Sequence, residues 1–242
     1  MTKFFGIYPT DKQQSTQFLN KINTHLKREL ENDWHCYKIK FTDLDHEKCI
    51  DAVKDSKAKL IIFMGHGKSD IFFGSYGKET NDFISSDVTH FEEKYYKNEN
   101  FINADNISGF KNKIIFSFSC FSNKNDKNSL GRNAILKGVI SFIGFGDIPT
   151  DFILDNNFPY KAIAIYKGII VRVIKTSLST AIINNYSVSK LVDLIKIQTN
   201  SEIFELILNK NIRHKDSIIE NLFKFKNEIV IFGDKYAKLV NI

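Results

Sequence analysis

Residues 58–67 read AKLIIFMGHG, an unbroken apolar run followed by a histidine held between two glycines. From Leu60 to Met64 no polar residue interrupts the run. A strand with one wet face would alternate, so this pattern predicts a strand covered on both faces, in the middle of a parallel sheet. A second run of the same kind, NKIIFSFSC at 112–120, ends in Cys120.

Outward from these two strands, KFFGIY at 3–8 reads as a first strand, and Phe18, Ile22 and Leu26 follow at helical spacing. CYKIKF at 36–41 reads as a second strand, and a short helix through about 46–56 carries Ile50 and Val53. Beyond Cys120, SLGRNAILKG reads as a helix closed by a glycine, and VISFIGFG as a fifth strand. Helical patterns fill most of 160–224, and EIVIFGDKYAKLV supplies a last strand and a turn. Alternating strands and helices predict an α/β fold, with a mostly parallel central sheet of about six strands and helices on both faces. With no linker, repeat or low-complexity tract, the chain reads as one domain over 1–242, with an irregular, aromatic-rich insertion at about 70–110.

Composition narrows the classes. The chain has 242 residues, 43% of them hydrophobic, enough for one sizeable core. The start, MTKFFGIYPTD, is too briefly apolar for an export signal, and Lys167 and Arg172 interrupt the most apolar later segment, so a soluble protein is expected. Three irregularly spaced cysteines, Cys36, Cys49 and Cys120, form no disulfide framework, which points to the cytoplasm. A net charge of +6 comes from 34 basic and 28 acidic residues interspersed along the chain, which reads as a solvated surface and not as a nucleic-acid-binding patch.

His66 and Cys120 each follow a predicted central strand, and open parallel sheets bind ligands beyond the carboxyl ends of their strands. A thiol acts as a nucleophile through its thiolate, and a neighbouring histidine can take the proton. If the strands before them pair, their exit loops bring imidazole and thiol together. Gly65 permits a sharp exit, while the N–H of Gly67 and that of Cys120 could hold an oxyanion. The separation of His66 from Cys120 matches the histidine-to-cysteine spacing of caspases.

Other constellations are weaker. His35, Cys36, His46 and Cys49 suggest zinc, but adjacent residues on a strand point to opposite faces, so a four-ligand site fails and no metal is expected. The aromatic excursion 71–101 reads as a lid before a base-stacking platform. GFGDIPTD lacks the lysine and serine or threonine of a phosphate loop.

With these residues in view, the chain resembles the caspase-like cysteine peptidases, and within them the bacterial branch called CHAT. LIIFMGHG matches the strand and His-Gly motif, and KIIFSFSCFSN the strand ending in the nucleophile. SLGRNAILKGVISFIGF is similar to the family's small-residue helix and next strand, and EIVIFGD to a segment near the end. The resemblance covers about 59–151 well, the tail loosely, and the first strands by topology. It implies a caspase-hemoglobinase fold, a dyad of Cys120 as nucleophile and His66 as general base, a protein substrate and no cofactor. It also implies a regulated effector of antiphage or cell-death defence, switched by a sensor protein or small-molecule signal. The signature Q-A-C-x-G is absent, since Phe118 and Ser119 precede Cys120, so aspartate specificity is not implied. Instead Asp147 and Asp151, at the end of the fifth strand, are candidates for binding a basic substrate side chain, as in arginine-cutting members of the clan. The first rival expectation is a catalytically silent binding or scaffold module on the same fold, answering to a small-molecule or protein partner; the second is a nucleic-acid-binding protein, which salt-dependent retention on DNA or RNA would reveal.

Overall fold

The computed structural model describes residues 3–10, 16–75, 100–150, 158–209 and 211–240. In chain order the elements are β1 (Phe4–Pro9), α1 (Asn20–Leu30), β2 (Trp34–Ile39), α2 (Asp43–Asp55) and β3 (Leu60–Met64). The short strands β4 (Phe72–Phe73) and β5 (Asn100–Ile102) follow, then β6 (Ile114–Phe118), α3 (Leu130–Leu136) and β7 (Ser141–Gly144). Three helices, α4 (Tyr160–Ile183), α5 (Val188–Leu208) and α6 (Lys215–Asn227), lead to β8 (Val230–Gly233).

Six strands form one sheet in the order β2-β1-β3-β6-β7-β8, parallel except for β8, which runs antiparallel to β7. The two runs without alternation, β3 and β6, lie side by side at its centre and are buried throughout. Successive side chains on a strand point to opposite faces, so each run feeds both. Leu60, Ile62, Met64, Ile114, Phe116 and Phe118 pack with residues of α1, α4, α5 and α6. Ile61, Phe63 and Ile115 pack with Cys49, Ile50 and Val53 of α2 and Leu130 and Ala134 of α3. Helices therefore cover both faces.

Some boundaries move from the sequence reading. Helix α2 begins at Asp43, not near 46, because the Thr42 side chain accepts the Asp45 N–H at 3.3 Å and Asp43 and Asp45 occupy its first turn. Strand β2 begins at Trp34, whose indole N–H donates to Asn23 Oδ1 at 2.9 Å and so ties the strand to α1. At the end of α3, Gly138 takes φ +90°, and the N–H groups of Gly138 and Val139 donate to Ile135 and Ala134, which turns the chain into β7. The excursion at 71–101 lies largely at 76–99, outside the described residues; β4 pairs antiparallel with β5 across it. Among the described residues no helix is long and apolar enough to cross a membrane.

The strand order reverses at β1, with β2 on one side and β3 on the other. Chemistry in such sheets collects at the carboxyl ends of the strands near that point. The loop after β3 borders that point, and the loops after β6 and β7 follow one and two strands farther along the same edge.

Candidate active site

The ladder between β3 and β6 pairs Met64 with Phe118, and the Gly65 N–H donates to the Phe118 carbonyl at 3.3 Å. His66 and Cys120 thus each stand two residues beyond the last matched pair, on neighbouring strands. Beyond Gly65 the chain zips onto the segment that follows it: Lys68 N–H donates to Ile71 O at 2.9 Å, and Phe73 N–H to His66 O at 3.0 Å. Gly67, between these two bonds, is paired opposite Phe72 with its own N–H unused among the described residues. A Cβ on Gly67 would stand 3.0 Å from Ser119 Oγ and from the Ile71 carbonyl, so glycine lets the half-buried His66 loop lie against the turn that carries Cys120.

That turn is fixed by a serine network. Ser117 Oγ lies 3.0 Å from Ser119 Oγ, while the Ser122 hydroxyl donates to the Ser119 carbonyl at 3.0 Å and accepts from the Phe145 N–H at 2.9 Å. Phe121, directly after the thiol, takes φ +57°, a left-handed conformation that costs a residue with a Cβ about 1 kcal/mol. Its N–H is spent on the Gly146 carbonyl at 3.0 Å, and that of Asn123 on Phe145 at 3.0 Å. The Cys120 N–H, by contrast, makes no backbone bond among the described residues. Gly144 completes the lock, because a Cβ there would fall 2.2 Å from the Ser122 carbonyl.

Cys120 is half-buried, and its Sγ–H donates to the Ile148 carbonyl at 3.6 Å. Burial pushes the thiol up to about 11; the backbone of Ile148 partly offsets this and the charge of Asp147 adds to it. The resting sulfur is therefore a thiol at neutral pH.

Asp147 follows β7, exposed, its carboxyl raised above the usual carboxylate range by desolvation and by the like charge of Glu228. Asp151, the other predicted carboxylate, lies outside the described residues. Two residues that sequence reading did not single out complete the neighbourhood. Glu228 follows α6 with its side chain against Gly146, where a Cβ would stand 1.8 Å from Oε2. Tyr166 of α4 is fully buried, and its hydroxyl has no hydrogen-bond partner among the described residues. Burial, then the charges of Asp147, Cys120 and Glu228, raise the phenol well above its ordinary value. The glycines of GFG were the only local sign of this packing; what they make room for comes from distant parts of the chain.

The zinc candidates are used otherwise. His46 Nδ1 lies 2.7 Å from the Thr42 carbonyl, and Nε2 accepts the Ser75 N–H at 2.9 Å, so both ring nitrogens are engaged. His35 is exposed against the Phe5 ring, Cys49 is fully buried, and burial pushes the Cys36 thiol up to about 12. No protein-family model and no curated protein matches the chain.

Proposed function

We propose that the protein is a caspase-like cysteine endopeptidase of the CHAT type, with the caspase-hemoglobinase fold, acting on a protein substrate through His66 and Cys120. The observation that carries the reading is the in-register pairing of β3 with β6, which leaves both residues at one level beyond the sheet beside two unspent amide donors.

In this reading the Cys120 thiol loses its proton to His66 as the sulfur attacks the scissile carbonyl, and the N–H groups of Gly67 and Cys120 take up the oxyanion. The His66 imidazolium then protonates the leaving amine, and the acyl group remains on sulfur as a thioester. Water, deprotonated by His66, attacks the thioester and releases the acid and the thiol. No cofactor enters the scheme. A thiol raised by burial fits a nucleophile that is idle at rest, as expected of a cytoplasmic effector of antiphage or cell-death defence that a sensor protein or small-molecule signal switches on.

The same raised thiol favours a second reading, a silent module on this fold that binds a protein or small-molecule partner without turnover. A peptide library separates them. The peptidase reading expects cleavage by wild type, Cys36→Ala and Cys49→Ala but not by Cys120→Ala or His66→Ala. Equal cleavage by wild type and Cys120→Ala refutes it, and biological activity that survives Cys120→Ala favours the silent module.

A further inference from the structure

Helix α5 packs on α4 and α6 and buries one side there, through Leu191, Val192, Ile195, Ile203 and Leu206. Its opposite side carries Asp193, Ile197, Ser201, Phe204 and Leu208, all exposed and each three or four residues from the next, so they form one stripe along the helix. The stripe is apolar where a solvated helix is polar: Ile197 is 62% exposed, Phe204 65% and Leu208 75%. Two further side chains widen it. Ile207, also exposed, stands three residues past Phe204. Phe223 of α6, exposed as well, is joined by Lys226, whose ammonium lies 4.5 Å from the centre of its ring and donates to Asn200 Oδ1 at 2.7 Å. Asn200 is one helical turn from both Ile197 and Phe204.

Ile197, Phe204, Ile207, Leu208 and Phe223 make one patch of roughly 500–600 Å², the upper end of what a monomer's surface carries and about the apolar share of one side of a stable interface. Other exposed hydrophobic residues, such as Leu44 of α2, Leu136 of α3 and Tyr236 after β8, stand singly on separate elements. The stripe also fits its own copy. Turned end for end about a two-fold axis midway between Ser201 and Phe204, it meets itself with each Phe204 over the small Ser201 of the other copy and each Ile197 against Leu208. Asp193 then comes toward the chain that follows α5 in the other copy, where Arg213 and His214 are exposed, so the charges at the two ends are complementary. A parallel pairing instead stacks Phe204 on Phe204, leaves a gap at Ser201 and sets Asp193 beside Asp193.

We propose that α5, flanked by Phe223 of α6, is the interface of a two-fold homodimer in which it packs antiparallel against the α5 of a second copy, with Phe204 seated on Ser201. Phe204 is the anchor, because it is the largest side chain on the stripe and lies next to the axis, where both copies use it. Each copy keeps the core beneath its own sheet, so the monomer stays folded and the pair dissociates on dilution. The proposal is independent of the chemistry assigned to Cys120.

Sedimentation of the full chain over a wide dilution series tests it. Wild type should pass reversibly between monomer and dimer, and Phe204→Glu should raise the dissociation constant at least about a hundredfold while circular dichroism shows the fold unchanged. The register has its own test. Ile197→Lys and Leu208→Glu should each weaken the dimer when alone and pair with one another when mixed, because the mixed pair sets the new ammonium against the new carboxylate and leaves the other contact of Ile197 with Leu208 whole. A wild type that is monomeric at every concentration overturns the proposal and leaves the patch to an unlike partner. A dimer indifferent to Phe204→Glu, an open-ended assembly, or two single variants that do not pair on mixing also overturns it.

Discussion

The two faces of the sheet treat their buried polar groups differently. On the α2 face, the Lys113 ammonium donates to the Ser56 carbonyl at 2.7 Å, the Ser56 hydroxyl at 3.3 Å and the Ala58 carbonyl at 3.2 Å. His46 bridges Thr42 and Ser75, and Ser75 Oγ donates to the Ile39 carbonyl at 2.5 Å. At the carboxyl edge of β6 and β7, the Tyr166 hydroxyl and Asn123 Oδ1 are buried without partners among the described residues, and the amides of Gly67 and Cys120 make no backbone bond among them. A satisfied buried group stabilises the fold, whereas a wanting one leaves a place for something not yet bound. Unpartnered buried hydroxyls also occur away from that edge among the described residues, at Thr16, Ser129 and Ser177, so the contrast lies in how many such groups gather and not in their presence alone.

Substitutions on the two sides should separate accordingly. The largest effect belongs to the edge: Cys120→Ala and His66→Ala should each lower turnover at least about a thousandfold with little change in melting temperature. The double variant should be hardly worse than either, since residues acting as one unit are not additive. Cys49→Ala should keep turnover per folded molecule; should it fall with Cys120→Ala, the contrast between the two faces is lost.

Next in size, Lys113→Met should cost about 2–3 kcal/mol, because it leaves buried acceptors of Ser56 and Ala58 without a donor. Denaturant unfolding reads this directly. An unchanged midpoint would mean that water serves those carbonyls.

A smaller effect comes from His46, whose imidazole burial holds below its ordinary value of 6.5, the Thr42 contact acting in the opposite sense. The fold prefers the neutral ring, whose Nε2 accepts the Ser75 N–H. Stability from this group is therefore full above pH 6.5 and declines as pH falls below it through the lowered folded value. Melting curves of wild type should show this loss, and His46→Gln should flatten it.

The smallest expected change is Tyr166→Phe, which removes a hydroxyl that has no partner among the described residues and should shift stability by less than about 1 kcal/mol, in either direction. A loss of several kcal/mol would show that the hydroxyl is bonded.

Much of this was legible in the sequence. The unalternating runs at 60–64 and 114–118 required strands covered on both faces, and the residues that end them, His66 and Cys120, stand on neighbouring strands. Asp147 was legible as a carboxylate at the end of β7. Glu228 and Tyr166 were not, because nothing local distinguishes a glutamate after a helix or a tyrosine within an apolar one. Their meaning arises when α4 and α6 close over the edge of the sheet. The antiparallel entry of β8 was hidden for a related reason, since three successive helices separate it from β7 and the chain between them carries no signal of strand direction.

The thiol sharpens the comparison further. With Cys120 raised from 9.0 to about 11, its alkylation rate should climb steadily across that interval, while Cys49, fully buried, should react only on unfolding. A rate that levels off near pH 7 would mean that the resting sulfur is already a thiolate, and the latency drawn from its burial would be wrong.

The central claim is that covalent chemistry passes through Cys120. Its most direct measurement is a census of newly formed protein amino termini in cells carrying wild type and in cells carrying Cys120→Ala, under the condition that triggers the system. The account predicts a set of new termini in wild type that vanishes in Cys120→Ala. The same set of termini in both strains would contradict it.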